Sequence, residues 1–138
     1  MAHVIDVIVK GASPTDSGQL LASTAADAAS WSDSVHPASA TTPSLDNSWV
    51  GASGQQAPAY WRDAFGVVHL DGVGDGSGAS FGVLFTLPSG YRPSAAVRFL
   101  TPIAGGATAV VSVDTGGNVA TDNVSAFQPL DGLTFRTW

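Results

Sequence analysis

From Ala57 onward, apolar and polar positions alternate in short runs, and each run is closed by glycine, proline, aspartate or asparagine. A period of two is the signature of a strand with one face in a core. The pattern predicts seven strands: 57–62 (APAYWR), 65–71 (FGVVHLD), 79–87 (ASFGVLFTL), 95–101 (AAVRFLT), 107–114 (ATAVVSVD), 117–122 (GNVATD) and 132–137 (GLTFRT). The stretch VDTGGNV reads as a tight hairpin, because glycine fills its positive-φ positions at little cost. Seven short strands at this spacing predict an all-β fold, an antiparallel β-sandwich of jelly-roll type. The glycine-rich run 72–78 reads as a flexible hairpin loop, and Pro129 to Asp131 as a separator.

The first part of the chain differs. Eleven of the twelve aromatic residues lie at or after Trp49, and residues 11–46 are dominated by Ala, Ser, Thr, Asp and Pro. This predicts an N-terminal extended arm over 1–46 and a β-sandwich domain over 47–138. Within the arm, 17–29 (SGQLLASTAADAA) offers a short helix whose weak apolar face is Leu20, Leu21, Thr24, Ala25 and Ala28. Before it, HVIDVIVK has strand periodicity: Ile5, Val7 and Val9 face one way, and Val4, Asp6 and Ile8 the other. Two readings stay open. The segment is an edge strand of the chain's own sheet, or an assembly arm (Val4, Ile5, Val7, Ile8, Val9) that adds a strand to a neighbouring protein.

Composition narrows the function. Charged residues are 12% of the 138, about half the usual share, and all 11 acids are aspartate. With no glutamate and one lysine, the chain is poor in helix formers and rich in turn formers. A net charge of -6 with five basic residues argues against nucleic acid and anionic membranes as partners. No apolar run reaches the roughly 18 residues of a membrane span. The absence of cysteine excludes disulfides and thiolate chemistry. The start lacks a basic leader, so the product is expected to be made in a cytoplasm and to remain there until assembly.

Catalytic patterns are not found. His3, His36 and His69 form no metal-binding spacing, and there is no G-x-S-x-G elbow. Asp63, Asp71 and Asp75 are the carboxylates that a glycosidase would draw on, and Asp71 and Asp75 with glycine carbonyls those of a calcium site, but aspartate in turns needs no such explanation. No enzyme activity, metal or cofactor is expected. The corner LPSGYRP, Leu87 to Pro93, reads as a rigid bend: Pro88 ends a strand, Ser89-Gly90 turns the chain, and Pro93 holds Arg92 extended. Tyr91 is expected to bury its ring there and to send its hydroxyl to a carbonyl across the corner. The candidate partner or ligand contacts are Tyr60, Trp61, Tyr91, Arg92 and Trp138. The terminal Trp138 is expected to pack, on this subunit or on a neighbour.

The segments AYWRDAFGVVHLDG, GVLFTLPSGYRPS, VSVDTGGNV and LDGLTFR, in this order over about 57–137, resemble the β-rich terminal domain of phage tail fibres and minor tail proteins, most closely those of phages that infect actinobacteria. The resemblance implies a virion structural protein with a homotrimeric β-sandwich. It would be joined to other virion proteins through its arm, with outer loops that meet the host surface and its glycans. The segment before the domain is short and has no coiled coil or fibre repeat, which keeps two alternatives: a capsid decoration (head fibre) protein and a stand-alone carbohydrate-binding module.

Overall fold

The structure is a computed structural model that describes residues 20–25, 28–32, 40–80, 82–124 and 127–138; for those before residue 40 it describes chain path and strand pairing. The chain divides into two compact units, Met1–Ala38 and Ser39–Trp138. The first contains a hairpin of β1 (Leu20–Ala25) and β2 (Ala28–Ser32), antiparallel with Leu21 opposite Trp31. The helix expected over 17–29 is thus overturned. A helix there would have had only a narrow stripe of small residues to bury, whereas pairing with Ala28–Ser32 satisfies the backbone along both strands. The strand and assembly arm expected over residues 4–9 lie outside the described residues.

Among its described residues the second unit has ten strands. They are β3 (Val50–Gly51), β4 (Ala59–Arg62), β5 (Val67–Asp71), β6 (Val73–Asp75), β7 (Val83–Thr86), β8 (Val97–Pro102), β9 (Thr108–Val113), β10 (Asn118–Thr121), β11 (Phe127–Pro129) and β12 (Leu133–Arg136). All pairings are antiparallel. One sheet has the order β7-β10-β9-β8. Facing it are two three-stranded sheets, β12-β5-β4 and β11-β6-β3, linked where β5 passes into β6 through Gly72. At that joint the Leu130 N–H donates to the Gly72 carbonyl at 2.8 Å, and the Gly72 N–H donates to Asp131 Oδ1 at 2.7 Å.

The arrangement is an antiparallel β-sandwich, as the alternation predicts. Tyr60, Val68, Leu70 and Phe135 bury one face of the bent layer, and Phe85, Val111, Val113 and Val119 bury the opposing face of the four-stranded sheet. A bulge in β7 sets Val119 opposite Phe85 and Ala120 opposite Val83, so Leu84 is the extra residue. Leu84 and Phe85 are both fully buried, which simple alternation would not allow.

Each of the seven predicted strands has a counterpart. The run 72–78 departs from its expectation: Val73–Asp75 is the middle strand of its sheet rather than a flexible loop. Its glycines make room for Trp49, which is only 3% exposed. A Cβ on Gly74 would lie 3.2 Å from the Trp49 indole, and one on Gly76 would lie 2.5 Å away.

A polar clamp crosses this core. Gln128, fully buried on β11, accepts from Thr121 Oγ1 at 2.6 Å and donates to Thr101 Oγ1 at 2.8 Å and to the Pro129 carbonyl at 3.0 Å. Thr101 sits on β8 and Thr121 on β10, so one amide ties the two layers together with its polar atoms satisfied.

Candidate functional site

Three of the five candidate contact residues meet at the LPSGYRP corner. The Tyr91 N–H donates to the Pro88 carbonyl at 3.1 Å, closing a turn in which Gly90 has φ of 90°. That is the third position of a type II turn, where glycine is favoured. The Tyr91 ring is half-buried and stands edge-on to Tyr60, with centroids 5.1 Å apart. Tyr60 in turn stacks on Phe85 at 6.2 Å. Burial raises the Tyr60 hydroxyl pKa, the neighbouring Tyr91 adds to this, and a hydrogen bond with Thr41 opposes it.

Two guanidinium groups, rather than the Tyr91 hydroxyl, reach carbonyls across the corner. Arg92 Nε donates to Leu87 at 2.8 Å, and Arg62 Nη1 donates to Gly90 at 2.6 Å. The hairpin between β9 and β10 seals the same place, since the Leu87 N–H donates to Gly117 at 2.8 Å. Beside the corner, a cleft of about 600 Å³ is lined by Asp46, Tyr60, Thr86, Pro88 and Arg92 among others. The corner is a tight turn as expected, its carbonyls taken by Arg62 and Arg92, and Tyr60 and Arg92 also border an opening.

Trp61 lies elsewhere, on the outer face of β4 opposite His69 of β5. The two rings stack with centroids 3.8 Å apart. The Trp61 indole N–H donates to Asp71 Oδ2 at 3.1 Å. His69 Nε2 lies 2.9 Å from Asp63 Oδ2; a carboxylate only accepts, so the imidazole proton sits on that nitrogen. Asp63 Oδ1 also takes the Phe65 and Val67 N–H groups. The bond from His69, helped by those two, holds the Asp63 carboxyl below its ordinary pKa against a smaller opposing effect of burial. Asp75 accepts from the Ser77 N–H at 2.9 Å. The three carboxylates considered for calcium or glycosidase chemistry are thus each engaged with a different partner.

Trp138 is at a third place. It remains 61% exposed, although its ring edge approaches Gly66 so closely that a Cβ there would lie 3.0 Å away. The Arg136 guanidinium carbon is 5.8 Å from the ring centre. With Arg136, Trp138 lines an open groove of about 770 Å³ between β8 and β12. These strands are edges of opposite layers. Val97, Phe99 and Phe135 form its apolar part, and Arg98 its other cation. Sequence reasoning missed Arg98 and Arg136, because nothing local marks two edge strands as neighbours across a sandwich.

No protein-family model matches the chain, and comparison with curated proteins finds no match. Among crystal structures, the fold is similar to that of the receptor binding protein (gp15) of Listeria phage PSA, with a TM-score of 0.61 and 19% sequence identity. The match covers 70% of this chain and 63% of that one, so it spans less than two thirds of the phage protein's length. At this identity the likeness establishes a shared β-rich fold. The neighbour's phage infects Listeria, which lends nothing to the actinobacterial part of the resemblance.

Proposed function

We propose that the chain is a phage virion structural protein, a minor tail protein or tail-fibre head, whose β-sandwich unit Ser39–Trp138 contacts the host surface. The observation that carries this reading is the fold shared with a phage receptor binding protein over 70% of the chain. The motif order over 57–137 supports it independently. In this reading the protein works by binding and carries no catalysis. It acts as a homotrimer, and the segment around Val4, Ile5, Val7, Ile8 and Val9 joins it to other virion proteins.

The test is competition. Purified full-length chain, added to host cells before the phage that encodes it, is expected to reduce adsorption in proportion to its concentration. Immunogold labelling of intact particles is expected to mark the tail. Unreduced adsorption together with gold on the capsid shell would replace this reading with the decoration role.

A further inference from the structure

The edges of the two layers differ in how they are covered. At β7, the Asp46 N–H donates to the Leu84 carbonyl at 2.7 Å, and Asn47 Nδ2 donates to the Val83 carbonyl at 3.0 Å. At β4, Thr41 and Tyr60 exchange both backbone hydrogen bonds, at 2.8 and 2.9 Å. The edge strands β3, β11 and β12 are only two, three and four residues long. β8 has neither protection. Among the described residues it pairs with β9 alone, without a bulge, and its six residues make it the longest edge strand of the second unit. A long uncovered edge is a template for a further strand.

The register identifies the open backbone groups. The Ile103 N–H donates to the Ala107 carbonyl at 2.9 Å, one step beyond the Pro102–Thr108 pair. Hydrogen-bonded pairs alternate along an antiparallel ladder. Val97, Phe99 and Thr101 therefore turn their backbone groups toward β9, and Arg98 and Leu100 turn theirs away from it. Pro102, which has no N–H, takes the next open position, where none is missed. The core side of this edge is also unfinished. Val97 and Phe99 are half-buried, whereas Val113 and Val111 opposite them on β9 are fully buried. With Phe135 of β12 they form the apolar part of the groove of about 770 Å³. On the outer face Leu100 is 71% exposed.

The sequence holds a strand of matching pattern. Residues 3–10, HVIDVIVK, lie outside the described residues; in sequence Val4, Asp6 and Ile8 alternate with Ile5, Val7 and Val9. Laid antiparallel on β8 with Asp6 opposite Arg98, Val4 falls opposite Leu100, while Ile5 and Val7 fall opposite Phe99 and Val97. Opposite charges then meet on the outer face, and apolar residues meet on both faces. The Asp6–Arg98 and Val4–Leu100 pairs are those that exchange both backbone hydrogen bonds. A slip of one residue would turn Asp6 toward the groove.

We propose that β8 of one copy accepts residues 4–9 of a second copy as a fifth, antiparallel strand of its sheet. Ile5 and Val7 occupy the groove beside β12, and Asp6 lies against Arg98. An arm given to the next copy is a heterologous contact, which closes on itself in a ring of copies such as a trimer. A second copy is then the virion protein that the arm joins. That the donor is a second copy rests on the homotrimer of the proposed function; the open edge of β8 does not.

Amide hydrogen exchange of the full-length protein, read residue by residue beside light scattering over a range of concentrations, tests this. The Arg98 and Leu100 amides are expected to be protected in concentrated protein and to lose protection on dilution, as the mass falls to one chain. V7D sets a charge in the groove. It is expected to speed exchange of both amides about tenfold or more and to shift the mass toward one chain, with the Val119 amide inside the sheet unchanged. D6R and R98D are each expected to raise the concentration of half-assembly about twofold to fivefold. Combined, they are expected to restore the parent's value.

Arg98 and Leu100 amides that exchange freely at every concentration would overturn the proposal. So would protection that persists in a single chain, a V7D variant that behaves as the parent, or charge substitutions whose effects add instead of cancelling. Protection gained only when purified tails or capsids are supplied would give the edge to another protein and overturn it too. If the amides are exposed while adsorption is still blocked, the strand exchange falls and the virion reading survives. If they are protected as expected while adsorption is unreduced, the strand exchange stands and the virion reading falls.

Discussion

The Trp61 indole lies flat on the His69 imidazole, with ring planes within 2° of parallel, while His69 Nε2 bonds the Asp63 carboxylate. The stack joins the outer faces of β4 and β5, and Asp63 anchors it from the turn between those strands.

The Asp63 carboxyl is held below its ordinary pKa chiefly by the His69 bond. A carboxyl whose pKa is lowered on folding stabilises the fold above its unfolded pKa, near ~4. That contribution is lost as pH falls through the lower folded value. D63N keeps an acceptor for the turn but loses the charge, so it should be less stable than the parent at pH 7, by on the order of 1 kcal/mol. Urea midpoints measured from pH 7 down to pH 2.5 should show the gap closing below about pH 4. A gap that persists to the lowest pH would contradict the ionic origin.

Gln128 should tolerate no ordinary replacement. Q128L fills similar volume but leaves Thr121 Oγ1 without the acceptor it now has at 2.6 Å, and Thr101 Oγ1 without its donor. The expected loss is about 1–3 kcal/mol by chemical denaturation. Q128E should be worse at neutral pH, since it buries a charge and turns acceptors toward Thr101 and the Pro129 carbonyl. It should recover part of its stability on acidification, when the carboxyl regains a proton to donate. Equal stability of Q128E and the parent at pH 7 would refute the clamp.

Two glycines at the corner separate backbone strain from collision. Gly90 and Gly117 have φ of 90° and 91°. A Cβ on Gly90 would meet only Arg62 Nη1, at 3.7 Å, whereas one on Gly117 would lie 2.6 Å from the Leu87 carbonyl oxygen and 2.9 Å from Arg92 Nε. G90A should cost about 1 kcal/mol through strain alone. G117A should cost more, about 3 kcal/mol or above, because it also separates Leu87 from the hairpin. Similar melting temperatures for the two variants would show that the seal between corner and hairpin is not tight.

The features legible in the sequence were those with a local signal. The seven predicted strands repeat with a period of two, and Pro88, Gly90 and Pro93 mark the corner. β3, β6 and β11 are two or three residues long, carry glycine or proline, and are strands only because neighbours pair with them. The helix expected over 17–29 failed because its partner strand, Ala28–Ser32, outweighed a weak local preference. The site was less legible. Tyr91 and Arg92 are adjacent in sequence, but their meeting with Tyr60 depends on packing. The Trp61–His69 stack depends on the register of β4 against β5.

The exposed apolar residues bear on assembly. Leu100 is 71% exposed on edge strand β8, and Phe127 is 44% exposed on edge strand β11. Large apolar side chains on sheet edges invite association. If the proposed homotrimer buries them, L100S and F127S should leave the monomer's fold within about 0.5 kcal/mol of the parent while shifting the solution mass toward one chain. Light scattering over a range of concentrations, with near-ultraviolet circular dichroism to confirm the fold, would measure both effects. A trimer that survives the double substitution intact would move the interface to another face of the sandwich or to the first unit. A parent protein that is monomeric at all concentrations would remove the trimer from the proposal.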